Sequence, residues 1–124
     1  MKIFKIDDLK AIKNPNPGEK LYRPEVLTEA DGAKNLGGLC GIVEPGAGVP
    51  YHYHEKRESV LIIVAGEGIE TVEGKDYDLK AGDLIFLNAK EKHCIRNKSN
   101  SEQMRFIEFY TEPPLSKDFI AVDK

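Results

Sequence analysis

The sequence predicts an all-β protein, a sandwich or barrel. Three observations carry this: apolar or alternating stretches of strand length, turn-forming residues between them at close intervals, and a scarcity of helical periodicity. The best helical stretch is Ile6 to Lys13, closed by Asn14-Pro15-Asn16-Pro17-Gly18, a loop by composition. Leu36 to Val43 reads as the first strand and ends at Glu44-Pro45-Gly46-Ala47-Gly48. Ser59 to Val64 ends at Gly66-Glu67-Gly68; apolar residues on both of its faces predict a strand covered on both sides. Ile69 to Val72 turns through Glu73-Gly74-Lys75 into Tyr77 to Leu79. Leu84 to Leu87, His93 to Arg96 and Met104 to Tyr110 follow, the last two divided by the polar run from Asn97 to Gln103. The tail from Glu112 reads as an arm in which Phe119 to Val122 can pair or pack. Met1 to Ile6 has the composition of an edge strand.

With 124 residues the chain suits one domain with one core, spanning 1–124, its barrel over about 36–110 and an arm at either end. The charges are mixed, 18 basic against 21 acidic for a net of −3, and offer no basic field to nucleic acid. Lys56-Arg57 reads as a solvated turn. No apolar run reaches bilayer length, so no membrane partner is expected. The first residues carry acids where a secretory signal needs an apolar stretch, and the expected location is cytoplasmic. Cys40 and Cys94 form no CxxC pair. Reduced buried thiols are the simpler reading, with a Cys40–Cys94 bridge the alternative.

The chain has three histidines, and two stand in Tyr51-His52-Tyr53-His54. Residues two apart on a strand point to one face, so His52 and His54 can reach one metal ion while Tyr51 and Tyr53 face away. Imidazole is the commonest metal ligand near neutral pH because it is largely unprotonated there.

Gly46 to Glu58, running on to Gly66, resembles the first motif of the cupin superfamily: a glycine, a spacer, HxH, a short turn, a glutamate, a hydrophobic strand and a glycine. Gly82-Asp83-Leu84-Ile85-Phe86-Leu87, then His93 and Asn97, resembles the second motif. The resemblance covers roughly Leu36 to Tyr110. It implies a jelly-roll β-barrel (a double-stranded β-helix) in which His52, His54 and His93 meet inside and hold one divalent metal ion: iron, manganese, nickel, copper or zinc. It also implies pairing into a homodimer.

Two departures from the motifs matter. The fourth ligand of the family is usually a glutamate. Counting back from Gly66 puts Ser59 in its place, whereas counting forward from His54 with a shorter spacer permits Glu58. A one-residue shift flips every side chain of a strand, and loops tolerate length changes better than strands, which favours Ser59 inward; a bulge would restore Glu58 as a fourth ligand or proton acceptor. In the second motif Asn88 and Lys90 replace the usual proline and glycine, which alters the loop before His93 but not the ligand. Asn97 shares the face of His93 and is expected to close a turn. Cys94 faces away and is assigned to the core.

An open three-histidine site can polarise a carbonyl, activate water or, with a redox-active ion, bind oxygen. The first expectation is a metal-dependent enzyme acting on a small polar or anionic molecule by dioxygenase or isomerase chemistry. Leu61, Ile63 and Ile95 would supply an apolar wall. The alternatives are a non-catalytic module for a small molecule or metal, and a metal-free sugar isomerase or epimerase with Tyr77 or Tyr110 as its acid.

Overall fold

The computed structural model describes residues 1–16 and 18–123; Pro17, within the predicted loop, and Lys124 lie outside the described residues. Eleven strands, one α-helix and one 3-10 turn follow each other in the order α1 (Ile6–Lys10), β1 (Leu21–Tyr22), β2 (Glu25–Leu27), the 3-10 turn Glu29–Asp31, β3 (Gly37–Val43), β4 (His52–Tyr53), β5 (Ser59–Ala65), β6 (Glu67–Val72), β7 (Lys75–Lys80), β8 (Leu84–Leu87), β9 (His93–Asn97), β10 (Met104–Tyr110) and β11 (Ile120–Ala121). They form two antiparallel sheets. One runs β1-β3-β10-β5-β8, with β2 also paired to β3; the other runs β11-β4-β9-β6-β7. The inner faces of the two sheets meet in a core that includes Leu39, Val43, Leu61, Ile63, Ile95, Met104, Phe106 and Tyr110. This is the jelly-roll barrel that the sequence predicts.

Local chemistry explains how the chain passes between sheets. β5 and β6 are almost continuous and change sheet at Gly66, whose φ is +78°. A Cβ there would sit 2.6 Å from the Gln103 carbonyl oxygen, so only glycine fits this corner. Glu73 and Gly74 both have positive φ, 47° and 80°, the backbone of a tight turn that matches the twist of the β6–β7 hairpin. Asn97 closes the β9–β10 turn as expected: its Nδ2 donates to the carbonyls of Val43 (3.0 Å) and Glu102 (2.7 Å), and its Oδ1 accepts from Ser99 N–H.

A second cluster lies on the back of the six-stranded sheet. Leu9 of α1 packs with Val64 and Ile107, flanked by Phe4, Ile12 and Phe109. Burial of Leu9 contributes about 1.5–3 kcal/mol, which anchors a helix too short to persist alone. β3 is buried along its whole length between this layer and the core, hence its lack of polar alternation.

Several expectations are corrected. The helix stops at Lys10, three residues early, because Ile12 turns onto the sheet instead of continuing the spiral. Within the single chain Met1–Lys5 pairs with no strand, and Met1 and Ile3 are exposed, so its pairing with a partner is left to a second copy. The N-terminal arm instead contributes β1 and β2, which are too short to stand out as strands in the sequence. Within one chain Val60 of β5 remains 40% exposed. Both cysteines are free; Cys40 is buried, but Cys94 is half-buried on the outer face. Among the described residues no helix is long and apolar enough to cross a membrane.

Candidate metal centre

His52 on β4 lies directly opposite His93 on β9. His54 follows two residues later on the same face. The ring centroids are 4.3 Å apart for His52–His93, 4.8 Å for His52–His54 and 5.3 Å for His54–His93. All three side chains are buried, and one ligand atom from each lies within 4.8 Å of the other two.

Hydrogen bonds orient the rings. Nδ1 of His52 is 2.6 Å from the Pro50 carbonyl, Nδ1 of His54 is 2.5 Å from that of Asp118, and Nδ1 of His93 is 2.9 Å from that of Glu91. A carbonyl only accepts, so each Nδ1 carries the proton and, in the neutral ring, each Nε2 keeps its lone pair. The rings are held neutral. Burial pulls His52 down to about 3, assisted by the nearby His93. Burial pulls His54 down to about 4 against the opposing bond to Asp118. His93 is lowered by burial too, against its bond to Glu91. Three neutral imidazoles, each with a ligand atom within 4.8 Å of the other two, are a donor set that suits a divalent cation.

The C-terminal segment completes the site. β11 pairs with β4, placing Ala121 beside His52 and Ile120 beside Tyr53. The Phe119 ring stacks on His52 at 4.3 Å and 17°, and meets His54 edge-on at 5.9 Å. Asp118 does two jobs. Its carbonyl holds His54, and its carboxylate accepts the N–H groups of Glu55 (2.8 Å), Lys56 (2.8 Å) and Arg57 (3.0 Å).

Arg57 overturns the solvated-turn reading. It is only 2% exposed and donates to the carbonyls of Thr111, Glu112, Pro114, Leu115 and Lys117, while its guanidinium lies 4.5 Å over the Tyr110 ring. One side chain thus ties the whole segment over the barrel mouth. Burial lowers the Arg57 pKa, opposed by Tyr110 and Glu108.

Ser59 is buried at the start of β5, whereas Glu58 is exposed, one residue before the strand. Strand alternation sends Ser59, Leu61 and Ile63 inward and Glu58 outward, where its backbone N–H bonds Thr111 Oγ1. No bulge at Glu58 reverses this, so Glu58 does not face the histidines. Tyr77 is exposed on β7. Tyr110 is buried in the core, its hydroxyl unpartnered and its pKa raised by burial to about 12. Neither lines the cavity at the histidines.

That cavity is small, about 30 Å³ in volume, and has an apolar wall including Leu61, Ile95, Leu87 and Phe106. Four charged residues that the sequence reading missed also line it: Arg23, Arg57, Glu70 and Glu108. Glu70 is 2% exposed and its Oε2 has no partner. Burial, with the nearby Glu108, raises its pKa well above the ordinary carboxylate range, which favours the protonated acid. Burial raises Glu108 as well, opposed by the Ser59 hydroxyl, Arg57 and Arg23. Both acids have the parity of the inner face: Glu108 shares a face with Phe106 and Tyr110, and Glu70 lies opposite Ile95.

Fold and site together define a β-barrel with a buried three-histidine cluster able to hold a metal. A family model for the cupin domain matches residues 41–110, and the chain belongs to the cupin family. It is 40% identical over 58 residues to an oxalate-binding protein of Thermotoga maritima, covering 47% of this chain and 48% of that protein. The chain thus spans about half the length of this curated relative. Among solved structures it resembles a double-stranded β-helix protein from Klebsiella pneumoniae (TM-score 0.76, 21% identity, 100% of this chain and 99% of that one). It also resembles a predicted oxalate decarboxylase from Thermotoga maritima (TM-score 0.67, 29% identity, 75% and 81%).

Proposed function

We propose that this cupin is a metal-dependent enzyme acting on a small carboxylate or similar anion. The observation that carries the reading is the set of three buried, carbonyl-anchored imidazoles with ligand atoms within 4.8 Å of one another. His52, His54 and His93 would hold a divalent ion, which supplies Lewis-acid or redox chemistry when bound. Since the histidines are neutral and Glu58 points away, no carboxylate from the usual motif position offsets the ion's charge. The centre would then favour an anion. The likeness to an oxalate-binding protein supports the same class of ligand.

Catalysis is favoured over simple capture by Glu70. A carboxylic acid that is neutral, buried and unpartnered at the cavity wall is suited to give a proton to a bound anion and to take one back. The reading includes a homodimer. Val60, Leu84 and Phe86 are 40%, 60% and 53% exposed on neighbouring strands at the β8 edge, where a second copy would cover them. Light scattering should return twice the chain mass; a monomer at working concentration contradicts this part.

The test of the function is calorimetric titration of oxalate into protein reconstituted with each candidate ion, followed by product analysis. Saturable binding that disappears on chelation and in His93→Ala, with conversion of the anion, is expected. Absence of binding in every loaded form contradicts the proposal.

A further inference from the structure

Two guanidinium groups line the histidine cavity, and their surroundings differ. Arg57 spends its donors on five backbone carbonyls. Arg23, in the link between β1 and β2, enters none of the ion pairs among the described residues and donates none of their side-chain hydrogen bonds. Its charge feels Glu108 without pairing to it, and burial lowers its pKa. An arginine with unspent donors in a part-buried wall is preorganised for an anion, because its planar fork matches a carboxylate with two parallel N–H bonds.

The position of Arg23 has a second property. It lines both the histidine cavity and a more open groove beside it, and Leu115 and Phe119 are shared between the two spaces in the same way. These three side chains are therefore the partition between solvent and the histidines. A ligand reaching the site by this route passes Arg23 and displaces Phe119 or Leu115, since a cavity of about 30 Å³ has room for little more than one water-sized group. The other wall of the groove carries Glu25, but that carboxylate accepts the Leu115 N–H at 3.1 Å and is tied to the segment.

We infer that Arg23 is the carboxylate-recognising residue of this site, set in the partition to receive a small carboxylate as it enters from the groove and to hold it facing the three histidines. The inference rests on the proposed metal centre and specifies its substrate class.

The experiment uses metal-reconstituted parent protein, Arg23→Gln and Arg23→Lys, with metal content and thermal midpoint measured on each sample. Oxalate is the anionic probe, and oxamide is its neutral counterpart. Oxalate should bind Arg23→Gln at least 10-fold more weakly than the parent, Arg23→Lys should fall between, and the response to oxamide should not change. In the parent, phenylglyoxal should modify Arg23 but not Arg57, and oxalate should protect Arg23, as read by peptide mass mapping; this arm does not depend on a variant folding. Unchanged oxalate affinity in Arg23→Gln at parental metal content, or no protection of Arg23 by oxalate, overturns the inference and leaves the metal centre standing. A parent that takes up no metal overturns the proposed function and this inference with it.

Discussion

The main-chain carbonyl of Asp118 accepts the Nδ1 proton of His54, across 64 residues of sequence, while the carboxylate of Asp118 gathers three consecutive N–H groups of the loop that follows His54. A residue far outside the histidine motif thus sets both the tautomer of one ligand and the path of the chain behind it. Asp118→Ala leaves three donors without their acceptor. We expect a loss of about 1–3 kcal/mol by chemical denaturation, and metal affinity lower by about 10-fold or more in a competition titration. Asp118→Asn keeps a side-chain acceptor and the tolerance for the positive φ of 58° seen here, and should lose less.

Arg57→Lys should be nearly as harmful as Arg57→Ala. A lysine offers a compact ammonium in place of a planar fork and cannot reach five carbonyls spread over residues 111–117. Limited proteolysis should then cut within 112–122, where the parent is expected to resist cleavage. An unchanged cleavage pattern would mean that β11 alone holds the segment down.

Phe119→Ala removes the ring stacked on His52 and opens the partition to the groove. The rate of metal extraction by a chelator should rise, with little change in equilibrium affinity, because no ligand atom is lost. A stopped-flow chelation assay separates the two quantities.

Glu58→Gln should leave metal content, stability and activity unchanged, within about 0.5 kcal/mol for an exposed side chain. Loss of metal in this variant would show that the carboxylate reaches the site in solution.

Stability of the metal-free protein should fall on acidification below neutrality. The native values of His52 and His54, about 3 and about 4, lie below the ordinary 6.5, so the unfolded chain takes up protons first. Their contribution is complete above pH 6.5 and is lost progressively as pH falls toward the native values. Asp118 adds to the acid end. Burial opposes its ionisation, but the three backbone N–H bonds together hold it below the ordinary 3.8, a contribution lost as pH falls below that value. Denaturation midpoints measured across pH 4 to 8 should therefore decline on the acid side, and bound metal, which needs the neutral rings, should move the decline to lower pH.

Much of the barrel was legible because its rules are local. Leu84–Leu87 and Met104–Tyr110 coincide with their apolar runs, and the two-residue period of His52 and His54 survives in the fold. The Ser59 alternative was also decided by local alternation once the start of β5 was known. What escaped depends on long-range register. Arg57, read as a turn residue, is drawn inward by carbonyls more than fifty positions away. Glu70 and Glu108 have inward parity, yet nothing local distinguishes an acid on the inner face of a strand from one on the outer. Phe119 was seen as part of an arm able to pack, but its seat on His52 comes from the β11–β4 pairing. Arg23 lies between two strands too short to be recognised.

The central claim is that His52, His54 and His93 bind one metal ion, and its most direct test is elemental mass spectrometry of untagged protein purified without chelator, beside a His93→Ala variant. The account predicts close to one equivalent of a single divalent metal in the parent and its loss in the variant. A parent that carries no metal, and takes up none on reconstitution with iron, manganese, nickel, copper or zinc, would contradict it.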